Sequence, residues 1–152
     1  MPRKPVEEAA LLGTVIDHPE DDAPRLVYAD WCQEDGQEAR AEFIRLQVRL
    51  AAMSPADHER LEVEARTATL LRKHEAEWCE SFPKWAQSSA IHRRGFVEIL
   101  NLTGNDFVGK ARSMFRKAPV VAARLRQVDG QRITDLRRFH RNKLTVMDFG
   151  AG

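Results

Sequence analysis

The sequence of 152 residues has few cysteines, few aromatic residues and no long apolar run. Its two cysteines, Cys32 and Cys79, stand in helix-like segments with no motif around them. A disulfide scaffold is therefore excluded, and a reduced, cytoplasmic location is expected. No stretch approaches the ~20 apolar residues that a membrane-spanning helix requires. No apolar segment follows the basic residues near the start, so we expect neither a membrane partner nor a secretory signal.

The signatures of common enzyme classes are also missing. The sequence contains no P-loop, no G-x-G-x-x-G and no G-x-S-x-G pattern. His74 and Cys79 are five positions apart, not the three or four that place two ligands on one helical face. We therefore expect no metal site, no cofactor and no enzymatic activity.

Charge is plentiful and unevenly distributed. The whole chain carries 24 Lys+Arg and 23 Asp+Glu, for a net charge of +1. Residues 1–82 hold 10 basic and 18 acidic side chains, a net charge of −8, and residues 83–152 hold 14 and 5, a net charge of +9. Such an asymmetry suggests that the two halves have different partners.

Helical spacing of apolar residues predicts a first half of about four helices. The first covers residues 5–17 and the third covers residues 38–53. The second begins at the cap residue Asp22 and ends at Asp35-Gly36, and the fourth begins at the cap residue Ser54 and ends near Cys79. The second helix is apolar over most of its surface and is expected to be central, through Leu26, Val27, Tyr28, Ala29 and Trp31. The predicted buried face of the fourth helix consists of Leu61, Ala65, Ala68, Leu71 and Trp78.

The pattern changes near Pro83, which we take as the boundary between a helical domain at residues 1–82 and a β-α segment at residues 83–152. Residues 87–89 are expected to form a loop. Strands are predicted at residues 96–102, 120–128 and 144–149, and helices at residues 107–116 and 133–139. Helices that separate strands favour parallel pairing. The predicted fold class is therefore α+β.

One segment matches a repeat template. Val97-x-x-Leu100-x-Leu102-x-x-Asn105-x-Phe107 fits the leucine-rich pattern L-x-x-L-x-L-x-x-N-x-L, whose leucines point inward from a short strand. Leu125 and Leu144 follow Leu100 by 25 and a further 19 residues, without the asparagine. The pattern indicates either degenerate leucine-rich repeats or an ordinary β-α-β unit.

A longer motif is more specific. The stretch DDAPRLVYADW at residues 21–31, the acidic-glycine turn after it, and RAEFIRLQ at residues 40–47 closely resemble the bacterial repeat-companion domain. The likeness extends more loosely to Trp78 and to RRGF at residues 93–96. The motif residues that we single out are Asp22, Arg25, Tyr28, Asp30, Trp31, Glu42, Phe43 and Arg45.

The resemblance implies a role beside repeats rather than a chemical reaction. Members of that family often precede leucine-rich or other repeats, which implies a cap or an adaptor, and no catalytic activity carries over. This sequence differs in that at most three strand units follow the helices, which leaves little of the concave surface that a solenoid offers. It also has Cys32 where the family usually has leucine.

Among the polar motif residues, Asp30 and Glu42 could form a carboxylate pair for acid–base chemistry if one pKa were raised. The competing interpretation is that they form ion pairs with Arg25 and Arg45 that join the helices. Trp78 and Trp85, on either side of Pro83, are expected to provide aromatic packing between the two halves or to form a ligand-facing pair.

The sequence alone favours a non-enzymatic protein-interaction or repeat-capping module that binds a protein partner or a second copy of itself. Its predicted contact surface is an exposed strand face, formed by Arg94, Glu98, Asn101, Arg124 and Arg126. The alternative is nucleic-acid binding through the arginine-rich second half, because arginine suits phosphate contacts. Few aromatic residues lie among those arginines, so stacking on single strands is not indicated.

Overall fold

The computed structural model describes residues 5–103, 113–126 and 145–148, without the side chains of residues 125, 126 and 145–148. Within these ranges, five helices and four strands whose two ends are both described follow one another in chain order. They are α1 (Pro5–Asp17), α2 (Ala23–Glu34), α3 (Glu38–Ala52), α4 (Arg60–Trp78), α5 (Lys84–Gln87), β1 (Ala90–Arg93), β2 (Phe96–Thr103), β3 (Ala122–Arg126) and β4 (Thr145–Asp148). The predicted α+β class, with the helices first, is confirmed. No helix in the described ranges is long and apolar enough to span a membrane.

The strands form one sheet in the order β1-β2-β3-β4. As predicted, β2, β3 and β4 are parallel, because the connections between them are long enough to return the chain to the same end of the sheet. The sequence pattern missed β1, which pairs antiparallel with β2. Residues 113–115 are helical, as predicted, whereas the rest of the predicted helix at 107–116 and the helix at 133–139 lie outside the described residues.

A bulge interrupts the pairing of β1 with β2. Ile91 pairs with Ile99, but the next residue, His92, pairs with Val97, which leaves Glu98 without an opposite residue. An extra residue in one strand shifts the alternation of side chains between the two faces of the sheet by one position, so residues three apart can point to the same face. Val97, Leu100 and Leu102 therefore share one apolar cluster although their spacing is not strictly even. The prediction that these three residues of the repeat template point inward is confirmed.

Two apolar clusters build the core. One lies within the β-α segment and contains Val97, Leu100, Leu102, Met114, Ala118, Val120 and Ala123, with Ala86 of α5. The other joins α1, α2 and α3 to the sheet, and it contains Val15, Tyr28, Ala29, Trp31, Cys32, Ala41, Ile44 and Phe96. Since Phe96 begins β2, the second cluster crosses the predicted boundary at residues 82 and 83.

The fourth helix differs most from the prediction. It begins at Arg60 rather than near Ser54, because residues 54–59 form turns in which Ser54 Oγ accepts a hydrogen bond from the Ala56 amide. Arg60 in turn donates to the Leu50 and Met53 carbonyls at the end of α3. The buried residues of α4 are Val63, Thr67 and Leu70. The predicted buried face was therefore wrong, since Leu61, Ala65 and Ala68 are exposed.

The second helix is less central than predicted, since Leu26 and Val27 are exposed. Asp22 is its N-cap residue, as predicted, but its side chain makes no capping hydrogen bond. Instead the neighbouring Asp21 accepts a hydrogen bond from the Ala23 amide, 2.9 Å away. The Asp22 carboxylate is thereby free for another contact.

Candidate functional site

The two separate stretches of the motif meet where the helices pack on the sheet. Arg94 and Gly95 form the turn between β1 and β2, with φ angles of 47° and 87°. The turn lies against α3, where the Gly95 amide donates to Gln47 Oε1 at 2.8 Å. A Cβ on Gly95 would lie 2.7 Å from the Ile44 Cα atom, so only glycine fits. The close approach places RRGF directly against RAEFIRLQ.

Beside this turn lies a group of four charged side chains, which we name the junction ion cluster: Asp22, Arg25, Arg94 and Glu98. Glu98 Oε1 is 2.7 Å from Arg25 Nη2 and 3.0 Å from Arg94 Nη2. Arg94 Nη1 lies 3.0 Å from Asp22 Oδ1. The Arg25 side chain is 0% exposed and that of Glu98 is 5% exposed. Arg25 and Glu98 thus form a buried ion pair, whereas Asp22, with a side chain that is 41% exposed, pairs with Arg94 nearer the surface.

Backbone carbonyls complete the junction ion cluster. Arg25 and Arg94 each donate to the Pro19 carbonyl, at 2.7 and 2.6 Å, and Arg25 also donates to the Arg94 carbonyl at 3.2 Å. Burial lowers the pKa of Arg25 from its usual value, and the Glu98 carboxylate opposes that shift. The arrangement fixes the loop before α2 to the turn after β1.

The predicted exposed strand face is therefore only partly present. Glu98 was expected on it and is buried instead, because the bulge turns its side chain toward Arg25. Arg94 is likewise engaged in the junction ion cluster. Asn101 and Arg124 are opposite each other on β2 and β3 and are partly exposed. Arg126 lies opposite Thr103, and its side chain is outside the described part.

The carboxylates of the helical motif form ion pairs on the surface. Asp30 lies 2.6 Å from Arg45 Nη2. Glu42 accepts two hydrogen bonds from Arg66, at 2.6 and 2.7 Å. The hydrogen bonds from Arg66 lower the pKa of Glu42, which is opposite to the raised value that a general acid needs.

The aromatic motif residues are buried and pack against other rings. Tyr28 packs between Trp31 and Phe96, with ring centroids 5.7 and 5.3 Å away, and its hydroxyl donates to Glu8 at 2.9 Å. Phe43 packs on Trp78, with 4.8 Å between the centroids. Trp85 instead packs against the cluster of the β-α segment. Trp78 thus packs on a ring of α3, and Trp85 packs within the β-α segment.

A second polar feature, which the sequence pattern did not single out, is Arg40 of α3. Its guanidinium lies over the rings of Trp78, Phe96 and Phe43, with distances to the centroids of 4.8, 5.1 and 5.9 Å. Nη1 is buried without a hydrogen-bond partner. Burial lowers the pKa of Arg40. Arg40 lies within RAEFIRLQ, so the motif itself was the signal that could have revealed it.

Arg40 lines a cavity of about 300 Å³ between the helices and the sheet. We name it the Arg40 cavity. Its aromatic lining consists of Tyr28, Trp78, Phe82 and Phe96, and its charged lining of Glu8, Glu77, Glu80 and Lys117. The cavity is therefore bounded by side chains from both predicted segments.

His92 lines the same cavity and lies close to a cysteine. Its Nε2 is 4.0 Å from Cys79 Sγ, and its Nδ1 is 3.9 Å from Glu75 Oε1. This order of groups resembles a nucleophile, a base and an orienting acid. However, burial raises the pKa of the Cys79 thiol and lowers the pKa of His92 to about 3, so both groups are uncharged near neutral pH. The thiol is not activated.

Among the described residues, no group of three or more histidine, cysteine or acidic side chains is placed to hold a metal ion. Comparison of the chain with protein-family models, with curated protein sequences and with solved structures gives no match. The resemblance to the repeat-companion domain therefore stays a prediction from the motif residues.

Proposed function

We propose that the protein is a non-enzymatic interaction module in which the helices cap one end of a parallel sheet and the other end pairs with a strand of a partner protein. The observation that carries this proposal is the strand order. β2, β3 and β4 are parallel and neighbour one another in chain order, as successive units of a repeat protein do.

The helical unit closes the first end of this sheet. β1 runs antiparallel to β2, and the turn between them is held by α3 and by the junction ion cluster. Because β1 runs antiparallel to β2, the series of parallel strands begins at β2. A terminal unit that covers the apolar end of a repeat array is what such arrays require for solubility.

The other end of the sheet is the proposed docking edge. Within the described residues, β3 is the only strand that pairs with β4. A strand with an unpaired side presents amide and carbonyl groups that an extended segment of another chain can bind. A cytoplasmic location belongs to this proposal and is supported by two free, buried cysteines.

Two neighbouring proline substitutions test the edge. Along a strand, successive amide groups point to opposite sides, so one of Val146→Pro and Met147→Pro removes an amide that faces β3 and the other removes one that faces the open edge. We expect one variant to keep the stability of the wild type and to lose binding. The binding assay is selection of extended peptides from a displayed library by the immobilised chain.

Sedimentation equilibrium over a range of concentrations shows whether a second copy also uses the edge. The proposal fails if the library yields no strand-forming peptide. It also fails if both proline variants are stable and each still binds every selected peptide. Titration with duplex DNA at low and high salt distinguishes the alternative, since phosphate contacts weaken steeply with salt. In the described part, Arg94 pairs with Asp22, and Lys117 donates to the Ser81 carbonyl. The proposal of a protein partner predicts no response to DNA.

A further inference from the structure

The Arg40 guanidinium is a partly buried cation that forms no ion pair with the described residues. Its Nη1 is buried without a hydrogen-bond partner, and the guanidinium lies over the rings of Trp78 and Phe96 where it lines the Arg40 cavity. Glu8 lines the same cavity, but in the described part of the chain Arg40 forms no ion pair with it. Buried charges are normally paired, because an unpaired one loses its hydration without compensation. By contrast, the other buried arginine, Arg25, has Glu98 at 2.7 Å. The same fold thus provides a carboxylate for one arginine and a cavity for the other.

The charges of the cavity are arranged by depth. Arg40 Nη1 is buried, whereas Glu77, with a side chain that is 73% exposed, and Glu80 are at the surface. Glu8 is held by the Tyr28 hydroxyl, and the Lys117 ammonium donates to the Ser81 carbonyl. The cavity therefore offers a positive interior and a negative rim.

We propose that the Arg40 cavity binds a small zwitterion of the amino-acid or betaine class, with its carboxylate on Arg40 and its ammonium toward Glu77 and Glu80. A volume of about 300 Å³ corresponds to roughly ten water-sized groups, which is enough for such a molecule. A phosphate dianion fits less well, because the rim carboxylates repel it. This inference is independent of the strand edge that carries the proposed function.

The aromatic lining adds a preference within the class. Trp78, Phe82 and Tyr28 line the cavity, and aromatic faces attract methylated ammonium groups once these are removed from water. Glycine betaine is therefore expected to bind more tightly than glycine. Acetate and choline, which each carry one half of the zwitterion, are expected to bind at least about tenfold more weakly than glycine betaine.

The experiment is calorimetric titration of the full chain with glycine betaine, glycine, acetate, choline and inorganic phosphate. Arg40→Met is expected to lower the affinity for glycine betaine at least about tenfold. The control is Arg45→Met, which removes an exposed arginine of the same helix that pairs with Asp30 and should leave the affinity unchanged. Circular dichroism verifies that each variant is folded.

The double variant Glu77→Gln, Glu80→Gln tests the rim without altering the core. It should weaken the binding of glycine betaine several-fold and leave acetate binding unchanged or stronger. This variant also decides the question if Arg40→Met fails to fold. The proposal is overturned if no zwitterion binds, if phosphate binds more tightly than glycine betaine, or if the rim variant binds glycine betaine as well as the wild type does.

Discussion

Gly95 determines how closely the β1–β2 turn approaches α3. Its φ angle of +87° favours glycine, and an added Cβ would lie 2.7 Å from both Cα and Cγ1 of Ile44. The contact with Cα cannot be relieved by a side-chain rotation. The position is thus constrained both by backbone conformation and by space.

We expect Gly95→Ala to lower the free energy of unfolding by more than about 3 kcal/mol, from backbone strain together with the steric clash. Gly36→Ala is the matched control, because Gly36 has a similar φ of +82° but nothing within 4 Å of the added Cβ. It should cost about 1 kcal/mol. Urea denaturation measures both, and equal losses would show that the approach to Ile44 does not matter.

Glu98 compensates the two arginines of the junction ion cluster. We expect Glu98→Gln to destabilise the protein by about 3–5 kcal/mol, because it leaves buried guanidinium charge without its closest carboxylate. Asp30→Asn removes an exposed carboxylate that also pairs with an arginine and should cost less than about 1 kcal/mol. Thermal or urea denaturation that ranks the two variants in the reverse order would contradict this assignment.

His92 makes stability depend on pH. Burial, together with the charge of Arg40, lowers its pKa from the usual 6.5 to about 3. Between these values the unfolded chain takes up a proton that the folded protein does not, so stability present above pH 6.5 is lost as the pH falls toward 3. For each pH unit between these values, His92 lowers the free energy of unfolding by up to about 1.4 kcal/mol.

The measurement is the free energy of unfolding in urea at several pH values between neutral and about 4. His92→Gln should reduce the slope against pH by up to about 1.4 kcal/mol per unit. His58→Gln, which replaces a side chain that is 92% exposed, should leave the slope as it is. An unchanged slope in His92→Gln would mean that the imidazole is protonated in the folded protein as readily as in the unfolded one.

At the scale of elements, α4 shows why apolar spacing alone does not identify the buried face. Leu61, Ala65 and Ala68 have helical spacing, and so do Val63, Thr67 and Leu70. The second set is buried because it faces α3, and Thr67 satisfies its hydroxyl by donating to the Glu64 carbonyl. The choice between the two faces depends on packing that the helix sequence does not contain.

We expect Leu70→Ala to destabilise the protein by about 2–5 kcal/mol, since it removes a buried side chain. Leu61→Ala is the same substitution on the same helix, at a residue that is 77% exposed, and should change stability by less than about 0.5 kcal/mol. Denaturation curves of the two variants compare the faces directly. A larger loss from Leu61→Ala would restore the face predicted from the sequence.

Other elements were predictable for clear reasons. The strong apolar stripe of α3 and the Asp35-Gly36 turn predicted helices close to those observed. The inward positions of β2 followed from the repeat template. The strand β1 was missed because its four residues, AIHR, carry no clear alternation, and Glu98 was assigned to the wrong face because a bulge leaves no sign in the strand pattern.

At the scale of the whole molecule, the acidic and basic halves are connected at the junction. Arg94 from the basic half pairs with Asp22 from the acidic half, and Phe96 packs among the helices. Part of the charge asymmetry is thus satisfied within one chain. A shared core of this kind favours unfolding in one step.

We expect the helices and the sheet to unfold together. Two double variants, each with a single tryptophan, report on the two parts of the chain by fluorescence. Trp78→Phe combined with Trp85→Phe leaves Trp31 in the helical core. Trp31→Phe combined with Trp78→Phe leaves Trp85 against the β-α cluster. Their fluorescence transitions in urea should each coincide with the loss of circular dichroism in the same variant. Fluorescence that lags or precedes the circular dichroism would show that residues 1–82 and 83–152 unfold as separate units.

The sequence by itself determined the local structure of this protein: the first three helices, the parallel strands, the change of character near Pro83 and the charge difference between the halves. These follow from spacing, turn residues and composition, which act over short stretches of chain. Only the tertiary structure decided which charges are buried and paired. Arg25 and Glu98 are 73 positions apart in the sequence and 2.7 Å apart in space, and Arg40 is buried beside a cavity, because side chains from distant segments exclude water only when the chain is folded.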